Sequence, residues 1–177
     1  MVRHMKNIVL IGFMGTGKSS TGKALAGKLG YAFVDIDQKI EEEQGMTIPQ
    51  IFERHGEAFF RDCEARMAKL LAKRRSTVIA TGGGTVKNPE NMKALRENGF
   101  VICLSADVET ILERTRREGV RPLLEGKDEE GRRKAIESLL EERGELYRQA
   151  DYTVDTSGKS PLQVIDDIVR HIRARRI

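Results

Sequence analysis

GFMGTGKSS, residues 12–20, is the stretch of sequence that decides the fold of this chain. It follows the apolar run IVLI and precedes a stretch of helical character. The pattern G-x-x-x-x-G-K-[ST] is matched without a mismatch at Gly12, Gly17, Lys18 and Ser19. In a strand–loop–helix context, the glycines let consecutive backbone N–H groups converge on phosphate oxygens, and the new helix directs its positive end at them. The stretch predicts a P-loop that binds a nucleoside triphosphate; the alternative is a glycine turn with an exposed lysine.

Strand-like and helical segments alternate on both sides of this loop. Most of the strand candidates are apolar throughout, as in a parallel sheet that is buried on both faces. The alternation predicts an α/β three-layer sandwich of the P-loop NTPase type, with a central five-stranded parallel sheet and right-handed crossovers. The predicted strands are 7–13, 32–37, 77–81, 100–105 and Tyr152–Asp155, and the predicted helices are 17–29, 58–74, 107–117, 132–149 and Pro161–Arg175.

Charged residues of both signs are interspersed along the chain. The sequence has 31 Lys and Arg against 27 Asp and Glu, which gives a net charge of +4 at pH 7. It has no Trp and few other aromatic residues, so an aromatic platform that stacks bases is not expected. This composition predicts a solvated surface with a local arginine pocket and no nucleic-acid partner.

Nothing in the sequence predicts a membrane segment or an oxidising compartment. No apolar run approaches the roughly 20 residues that span a bilayer, and the start MVRHMKN is too short and polar for a signal peptide. Cys63 and Cys103 both fall in apolar segments, where buried and reduced thiols are expected. We therefore expect a cytoplasmic protein without a membrane partner.

One long segment lacks both the helical and the strand period. REGVRPLLEGKDEEGRR, residues 117–133, is charged and contains three glycines. Long irregular segments inside compact domains are often functional. We interpret residues of about 117–131 as a mobile lid on a single P-loop domain that covers 1–177, a length suited to one domain.

The P-loop alone does not identify the group that receives the phosphate. In such a loop Lys18 would bridge the β- and γ-phosphates, and Ser19 would bind Mg²⁺. A regulatory GTPase would carry a guanine-reading motif such as N-K-x-D, which this sequence lacks. A motor or transport ATPase would usually be larger. A small kinase remains, and its acceptor has to be inferred from other residues.

Two carboxylates follow the second predicted strand. FVDIDQKI places Asp35 and Asp37 two residues apart, which puts both on one side of a strand. One could support Mg²⁺, and the other could contact a substrate hydroxyl. The alternative is that Asp37 caps the helix that begins with QKIEEE.

Further candidates lie on a predicted helix and after the third strand. FFRDCE places Arg61 and Glu64 three residues apart on a helix, a spacing that also occurs in weak surface ion pairs. TGGG, residues 81–84, ends the third strand, and its glycines indicate close approach of the backbone to a ligand; the alternative is a plain turn. Arg143 and Arg148 in ERGELYRQAD precede the last strand.

Taken together, these segments resemble the shikimate kinases, small P-loop kinases related in fold to the nucleoside monophosphate kinases. The resemblance covers nearly the whole chain, from NIVLIGFMGTGKS to YTVDTS. Its specific parts are DIDQKIE, FRDCE, TGGG, RPLL and ERGELY, which occur in the order of the family. It implies transfer of the γ-phosphate of ATP to the 3-hydroxyl of shikimate, in the pathway to chorismate and the aromatic amino acids.

On the nucleotide side, the resemblance implies roles for the P-loop and for one arginine. Ser19 would bind Mg²⁺, one ion per subunit, and Asp35 would support the ion through water. Arg114 in LERTRR lies where the family stacks an arginine on adenine, with Arg116 and Arg117 as close competitors. The predicted nucleotide-binding residues are Gly12, Gly15, Thr16, Gly17, Lys18, Ser19, Ser20 and Arg114.

On the acceptor side, the resemblance implies a binding segment of about 37–64 and a carboxylate clamp. Asp37 would contact the shikimate hydroxyls, either as a base or only to orient them. Arg61, oriented by Glu64, and Arg143 would bind the carboxylate. The predicted catalytic residues are Lys18, Asp37 and Arg121 of RPLL, and the predicted substrate-binding residues are Asp37, Arg61, Gly82, Gly83, Gly84 and Arg143.

Two other functions stay open on the residues alone. A carboxylate clamp would also serve a P-loop kinase for another hydroxylated acid, such as gluconate. A non-catalytic nucleotide-binding module that regulates a partner is the other alternative. The resemblance favours a monomeric enzyme with ATP and shikimate as its substrates.

Overall fold

The computed structural model of the chain describes residues 6–117, 124 and 126–177. Within these residues, a five-stranded sheet with the order β2-β3-β1-β4-β5 forms the centre of the fold, and every neighbouring pair is parallel. This confirms the predicted sheet. The strands are β1 (Asn7–Gly12), β2 (Ala32–Asp35), β3 (Thr77–Ala80), β4 (Gly99–Ser105) and β5 (Tyr152–Asp155).

Helices connect the strands and cover both faces of the sheet. A 3₁₀ turn over Thr85–Lys87 follows the glycines after β3. The helices are α1 (Lys18–Leu29), α2 (Ile36–Gln44), α3 (Ile48–His55), α4 (Glu57–Ala72), α5 (Pro89–Glu97), α6 (Val108–Arg117), α7 (Glu129–Tyr147) and α8 (Pro161–Arg175).

Side chains of β1 alternate between the two faces, and both faces are buried. Ile8 and Leu10 lie in the apolar cluster that includes residues of α1 and α8. Val9 and Ile11 lie in the opposite cluster with residues of α2, α3, α4 and α5. This is the three-layer sandwich that the unbroken apolar run predicted, because a strand buried on both faces has no polar side.

The predicted helices did not include α3 and α5, and α2 was considered only as the alternative in which Asp37 caps a helix; all three lie on one side of the sheet. Start signals for two of them are present in the sequence. Thr47 and Gln50 form a capping box at the start of α3, and Asn88 caps α5, whose first residue is Pro89. These two helices are eight and nine residues long, so each offers only about two turns in which an apolar period could be recognised.

The predicted lid of 117–131 only partly coincides with described residues. Residues 118–123 and 125 lie outside the described residues, and Arg121 is among them. Leu124 is buried and packs in a cluster with Phe13 and Ile111. The helix predicted at 132–149 begins earlier, at Glu129, because Asp128 caps it by accepting a hydrogen bond from Gly131 N–H. The last residues of the predicted lid are thus the first turn of α7.

Two further observations bear on the sequence predictions. Cys63 and Cys103 are both buried and unpaired with one another, as expected for reduced core thiols. Burial raises the pKa of the Cys103 thiol to about 11, which keeps it protonated at neutral pH. In the part of the chain that the structure describes, no helix is long and apolar enough to cross a membrane.

Candidate active site

The P-loop turns sharply between β1 and α1. Gly12, Gly15 and Gly17 have positive φ angles of 146°, 73° and 85°, which side chains with a Cβ seldom adopt. A Cβ on Gly12 would also collide with the carbonyl oxygen of Leu104 on β4. Gly17 is the N-cap of α1 and has no side chain to bond the first N–H groups of the helix. These groups and the positive helix end suit an anion, as the motif predicts.

Polar side chains of the loop bond the loop's own backbone. Lys18 Nζ donates to the carbonyl oxygens of Gly12 at 2.7 Å and Phe13 at 3.0 Å. Thr16 Oγ1 donates to the same oxygen of Phe13 at 2.7 Å. Ser20 Oγ donates to the carbonyl oxygen of Gly17 at 3.3 Å. These bonds hold the ammonium of Lys18 against the backbone of the loop.

Ser19 and Asp35 bring hard oxygen atoms together beside the P-loop. Ser19 Oγ donates a hydrogen bond of 2.5 Å to Asp35 Oδ2. Among the described residues, no cluster of three His, Cys, Asp or Glu side chains is arranged to hold a metal ion. A single hydroxyl with a nearby carboxylate suits Mg²⁺, since this ion keeps several waters and takes its other ligands from substrate phosphates. The two side chains therefore fit the predicted magnesium site.

The structure corrects the placement of the two carboxylates after β2. The strand ends at Asp35, so the prediction that Asp35 and Asp37 share one side of a strand is wrong. Asp35 is the N-cap of α2, and its Oδ1 accepts a hydrogen bond of 3.1 Å from Gln38 N–H. Capping by Asp35 starts the helix two residues earlier than predicted and places Asp37 in its first turn. The alternative in which Asp37 caps the helix is therefore also wrong.

Asp37 lies in an environment that disfavours its negative charge. Its Oδ1 is buried and has no hydrogen-bond partner among the described residues. Burial is the main cause that raises the pKa of Asp37 to about 7, and the charges of Asp35, Glu64 and Glu41 raise it further, against the opposing charge of Lys18. Near neutral pH, the carboxyl group is thus protonated in part of the ligand-free molecules.

Three consecutive glycines after β3 each face one of the predicted acceptor-site side chains. A Cβ on Gly82 would lie 2.6 Å from Asp37 Oδ1, and a Cβ on Gly83 would lie 3.2 Å from Arg143 Nη1. A Cβ on Gly84 would collide with the guanidinium of Arg61, 2.8 Å from Nη2 and closer still to Nη1. We call residues 82–84 the glycine cradle. It brings one carboxylate and two guanidinium groups around the same short piece of backbone, so the plain-turn alternative does not describe this segment.

Arg61 is held by acidic side chains on its own helix, α4. Its Nη1 lies 3.0 Å from Glu64 Oε1, and its Nη2 lies 3.4 Å from Glu57 Oε1. The side chain of Glu64 is only 2% exposed, whereas that of Arg61 is 34% exposed. A surface ion pair would expose both partners, so this pair instead anchors the guanidinium on a buried carboxylate and leaves part of it open.

Arg143 is the more deeply buried of the two arginines. It lies on α7 and is 4% exposed. Its Nη1 donates to the carbonyl oxygen of Gly83 at 3.2 Å, and the guanidinium carbon lies 5.7 Å from the centre of the Phe13 ring. Its Nε is buried without a partner among the described residues. A buried cation with an unpaired N–H is costly unless a ligand completes its hydrogen bonds.

Arg114 lies on α6 at the nucleotide end of the site. Its guanidinium donates to the carbonyl oxygen of Gly15 at 3.2 Å and to Thr156 Oγ1 and O at 2.9 and 3.1 Å. Arg116 and Arg117, its competitors for the adenine-stacking role, instead pair with Glu129 and Glu113 on the surface. Among the described contacts, Arg114 is thus the one of these three arginines that bonds the backbone of the P-loop, and its stacking on adenine stays a prediction.

The sequence did not single out two residues that contact the predicted site. Phe13 supplies the ring beneath Arg143. The P-loop motif accepts any residue at this position, so it gives no signal for Phe13. Thr85 directly follows the glycine cradle, and its hydroxyl bonds both Gly82 N–H and Glu64. Its place next to TGGG is the one feature that could have indicated it. Arg148, which the sequence singled out, pairs with Glu145 on the surface.

Comparison with known proteins agrees with this geometry. The family model described as shikimate kinase matches residues 14–173. The shikimate kinase of Persephonella marina is 47% identical over 169 residues, 96% of this chain and 100% of that protein. The shikimate kinase of Thermodesulfovibrio yellowstonii is 49% identical over 166 residues, 94% of each chain.

A solved structure extends the similarity to the whole fold. Shikimate kinase from Acinetobacter baumannii, solved in complex with shikimate, superposes with a TM-score of 0.90 at 38% identity, over 98% of this chain and 96% of that one. Sequence and fold thus agree over almost the full length. The chain belongs to the shikimate kinase family of ATP-dependent phosphotransferases.

Proposed function

We propose that this chain transfers the γ-phosphoryl group of ATP to the 3-hydroxyl of shikimate, giving shikimate 3-phosphate and ADP. The observation that carries the proposal is the glycine cradle, where Asp37, Arg143 and Arg61 converge on three consecutive backbone positions. A small hydroxylated carboxylic acid needs this combination of groups. The guanidinium forks bind its carboxylate, and the carboxyl group of Asp37 bonds one of its hydroxyls.

The two arginines would hold the acceptor by its carboxylate. Arg61 offers a partly open guanidinium that the buried Glu64 keeps in place. Arg143 offers an N–H group that has no partner among the described residues. A carboxylate bound between them would satisfy that group and would fix the ring of the acceptor relative to Asp37 and the P-loop.

Asp37 would select and orient the reacting hydroxyl. In the transfer, the hydroxyl oxygen forms a bond to the γ-phosphorus while the bond from that phosphorus to the β–γ bridging oxygen breaks. The hydroxyl proton passes to Asp37 Oδ1 or to water. Such transition states are loose and need little base catalysis, so positioning by Asp37 accounts for most of its contribution.

The P-loop would bind the phosphates of ATP through its backbone N–H groups and Lys18. Mg²⁺, one ion per subunit, would be held by Ser19 and, through water, by Asp35, and when bound it supplies positive charge to the β- and γ-phosphate oxygens. Arg114 would stack on adenine. Arg121, in the lid of about 117–131, would reach the transferring phosphoryl group.

We further infer the cellular setting from the same site and from the composition. We infer a single kinase domain of 1–177 with an acceptor-binding segment of about 37–64. The resemblance of its motifs to the shikimate kinases favours a monomeric enzyme. The interspersed charges support a protein without a nucleic-acid partner. The polar start and the lack of a long apolar run favour a cytoplasmic protein without a membrane partner. Light scattering after size-exclusion chromatography tests the oligomeric state.

An assay of ADP release with different acceptors tests the proposed function. Shikimate, gluconate and nucleoside monophosphates are each supplied with ATP and Mg²⁺, and the product is identified by ³¹P NMR. We expect rapid turnover with shikimate alone. Equal turnover with gluconate would assign the site to hydroxylated acids in general. Nucleotide binding without turnover of any acceptor would identify a non-catalytic module and contradict the proposal.

A further inference from the structure

A buried hydroxyl connects the two halves of the acceptor site. Thr85, the first residue of the 3₁₀ turn, is fully buried. Its Oγ1 donates a hydrogen bond of 2.9 Å to Glu64 Oε2 and accepts one of 3.1 Å from Gly82 N–H. Because a hydroxyl has one proton, donation to Glu64 fixes its lone pairs toward Gly82. The direction of both hydrogen bonds made by this hydroxyl is therefore determined.

The same chain of bonds continues to the acceptor-binding side chains at both ends. Glu64, which is 1% exposed, uses its other oxygen to hold Arg61 Nη1 at 3.0 Å. Gly82 lies against the carboxyl group of Asp37. The hydroxyl of Thr85 thus connects two parts of the acceptor site. On one side is Glu64, which holds Arg61, and on the other is Gly82, which lies beside Asp37.

Thr85 is itself fixed by the surrounding backbone. Its N–H donates to the carbonyl oxygen of Gly82 at 3.3 Å, and its own carbonyl oxygen accepts from Asn91 Nδ2 at 3.1 Å. Asn91 is 1% exposed and lies on α5. If Glu64 or Gly82 moved, the hydroxyl could therefore not move with it without disturbing the packing of α5.

We propose that Thr85 is a positioning residue for the acceptor: its hydroxyl locks the glycine cradle to Glu64 and thereby sets the distance between the Arg61 guanidinium and the Asp37 carboxyl group. Without this hydroxyl, a buried carboxylate oxygen and a buried backbone N–H each lose a partner, and the two ends of the acceptor site are free to separate. The P-loop makes no bond to Thr85 among the described contacts, so the effect falls on shikimate and not on ATP. This inference rests on the proposed function.

Kinetic comparison of isosteric and conservative variants tests the role. Thr85→Val keeps the shape and removes the hydroxyl, whereas Thr85→Ser keeps the hydroxyl. We expect Thr85→Val to lower kcat/KM for shikimate about tenfold or more, with KM for ATP changed by less than about twofold. Thr85→Ser should retain most of the activity. The matched control is Thr77→Val, which removes another buried hydroxyl that bonds Arg75 O at the start of β3 and should alter neither constant.

A double-mutant cycle with Arg61 separates positioning from loss of stability. In an Arg61→Ala background, Thr85→Val should cost less than about twofold in kcat/KM for shikimate, because the group that it positions is gone. The proposal would be overturned if the losses in kcat/KM of the two single variants multiplied in the double variant. It would also be overturned if Thr85→Val impaired the use of ATP and shikimate equally, or if Thr85→Ser were as poor as Thr85→Val. If Thr85→Val does not fold, Thr85→Cys, with its weaker hydrogen bonds, takes its place in the same comparisons.

The same series distinguishes this inference from the proposed function. If the wild-type protein does not phosphorylate shikimate, both fail. If the wild type is active and Arg61→Ala is impaired, but Thr85→Val equals the wild type, the positioning role alone is wrong.

Discussion

Gly84 lies directly against Arg61, so that a Cβ at Gly84 would lie 2.8 Å from Arg61 Nη2 and closer still to Nη1. The backbone of Gly84 has φ −100° and ψ −3°, a conformation that alanine adopts without strain. The glycine is therefore required by the neighbouring guanidinium and not by its own backbone. This makes the position a direct test of the arginine that we place in the acceptor site.

We expect Gly84→Ala to fold and to lose kcat/KM for shikimate about 10- to 100-fold, because the methyl group displaces the Arg61 guanidinium and misplacement of about 1 Å costs rates of this order. The matched control is Gly27→Ala on α1, where a Cβ meets no atom within 4 Å. That variant should keep its activity and gain about 0.5–1 kcal/mol in the free energy of unfolding, since alanine is the better helix former. Wild-type kinetics in Gly84→Ala would show that Arg61 does not bind the acceptor.

The carboxylate clamp can be tested by changing the ligand and the protein together. kcat/KM is measured for shikimate and for its methyl ester, with the wild type and with Arg61→Ala. If Arg61 binds the carboxylate, the free-energy costs of the ester and of Arg61→Ala do not add, because each change removes the same interaction. The coupling energy between the two changes should be on the order of 2 kcal/mol. Arg61→Lys should not restore activity, because an ammonium cannot form two parallel hydrogen bonds.

Arg143 should couple to the ester in the same way, since its unpaired Nε is available for the same carboxylate. Additive losses at both arginines would mean that neither group recognises the carboxylate. The choice of shikimate over an uncharged polyol would then lose its main physical support.

The raised pKa of Asp37 predicts how the stability of the metal-free protein depends on pH. The folded state holds this proton with a pKa of about 7, compared with 3.8 for an ordinary Asp. The stabilisation from proton binding is complete below about pH 4 and is lost as the pH rises through 7. Asp37→Asn cannot ionise, so the free energy of unfolding of this variant should rise relative to that of the wild type between pH 5 and pH 8, by at most about 3 kcal/mol.

Urea unfolding in the presence of a chelator at several pH values measures this difference. It should grow with pH and level off above about pH 8. A difference that is the same at pH 5 and pH 8 would show that Asp37 keeps an ordinary pKa in the folded protein.

The sequence predicted the sheet and the P-loop well because both depend on local patterns. The unbroken apolar run before Gly12 required burial on both faces, and the glycine spacing required one backbone path. The placement of Asp37 was wrong because the end of a strand depends on which carboxylate caps the next helix, and Asp35 and Asp37 are equally good caps by residue type. Only the packed structure decides between them.

Side-chain partnerships were less predictable, because they join segments that are distant in sequence. Arg143 contacts both Gly83 and the ring of Phe13. Both contacts result from the packing of α7 beside the P-loop. No local pattern carries this information. The motifs therefore indicated which residues to propose for the acceptor site, whereas their distances and the connecting hydroxyl of Thr85 came from the fold.

The predicted lid should respond to both substrates. We expect amide hydrogen exchange in residues 118–128, the part of the predicted lid between α6 and α7, to slow when a nucleotide and shikimate are bound together, since closure excludes water from the phosphate donor. Amides of α8, a helix that contains none of the predicted site residues, serve as the internal reference. Arg121→Ala should lower kcat more than it weakens nucleotide binding. Unchanged exchange in this segment with both ligands present would argue against a lid.

Lys18 offers the most direct test of phosphoryl transfer. Its Nζ is held by the carbonyl oxygens of Gly12 and Phe13 inside the loop that would enclose the phosphates, so its charge lies close to where negative charge develops. Removing one such preorganised donor costs about 3–4 kcal/mol of transition-state stabilisation in comparable sites. We therefore expect Lys18→Ala to lower kcat by about 10²- to 10³-fold while the thermal unfolding transition stays cooperative. The matched control is Lys23→Ala, which removes an exposed lysine from the same helix and should leave kcat unchanged. A folded Lys18→Ala protein with the kcat of the wild type would show that the loop binds a nucleotide without taking part in the transfer.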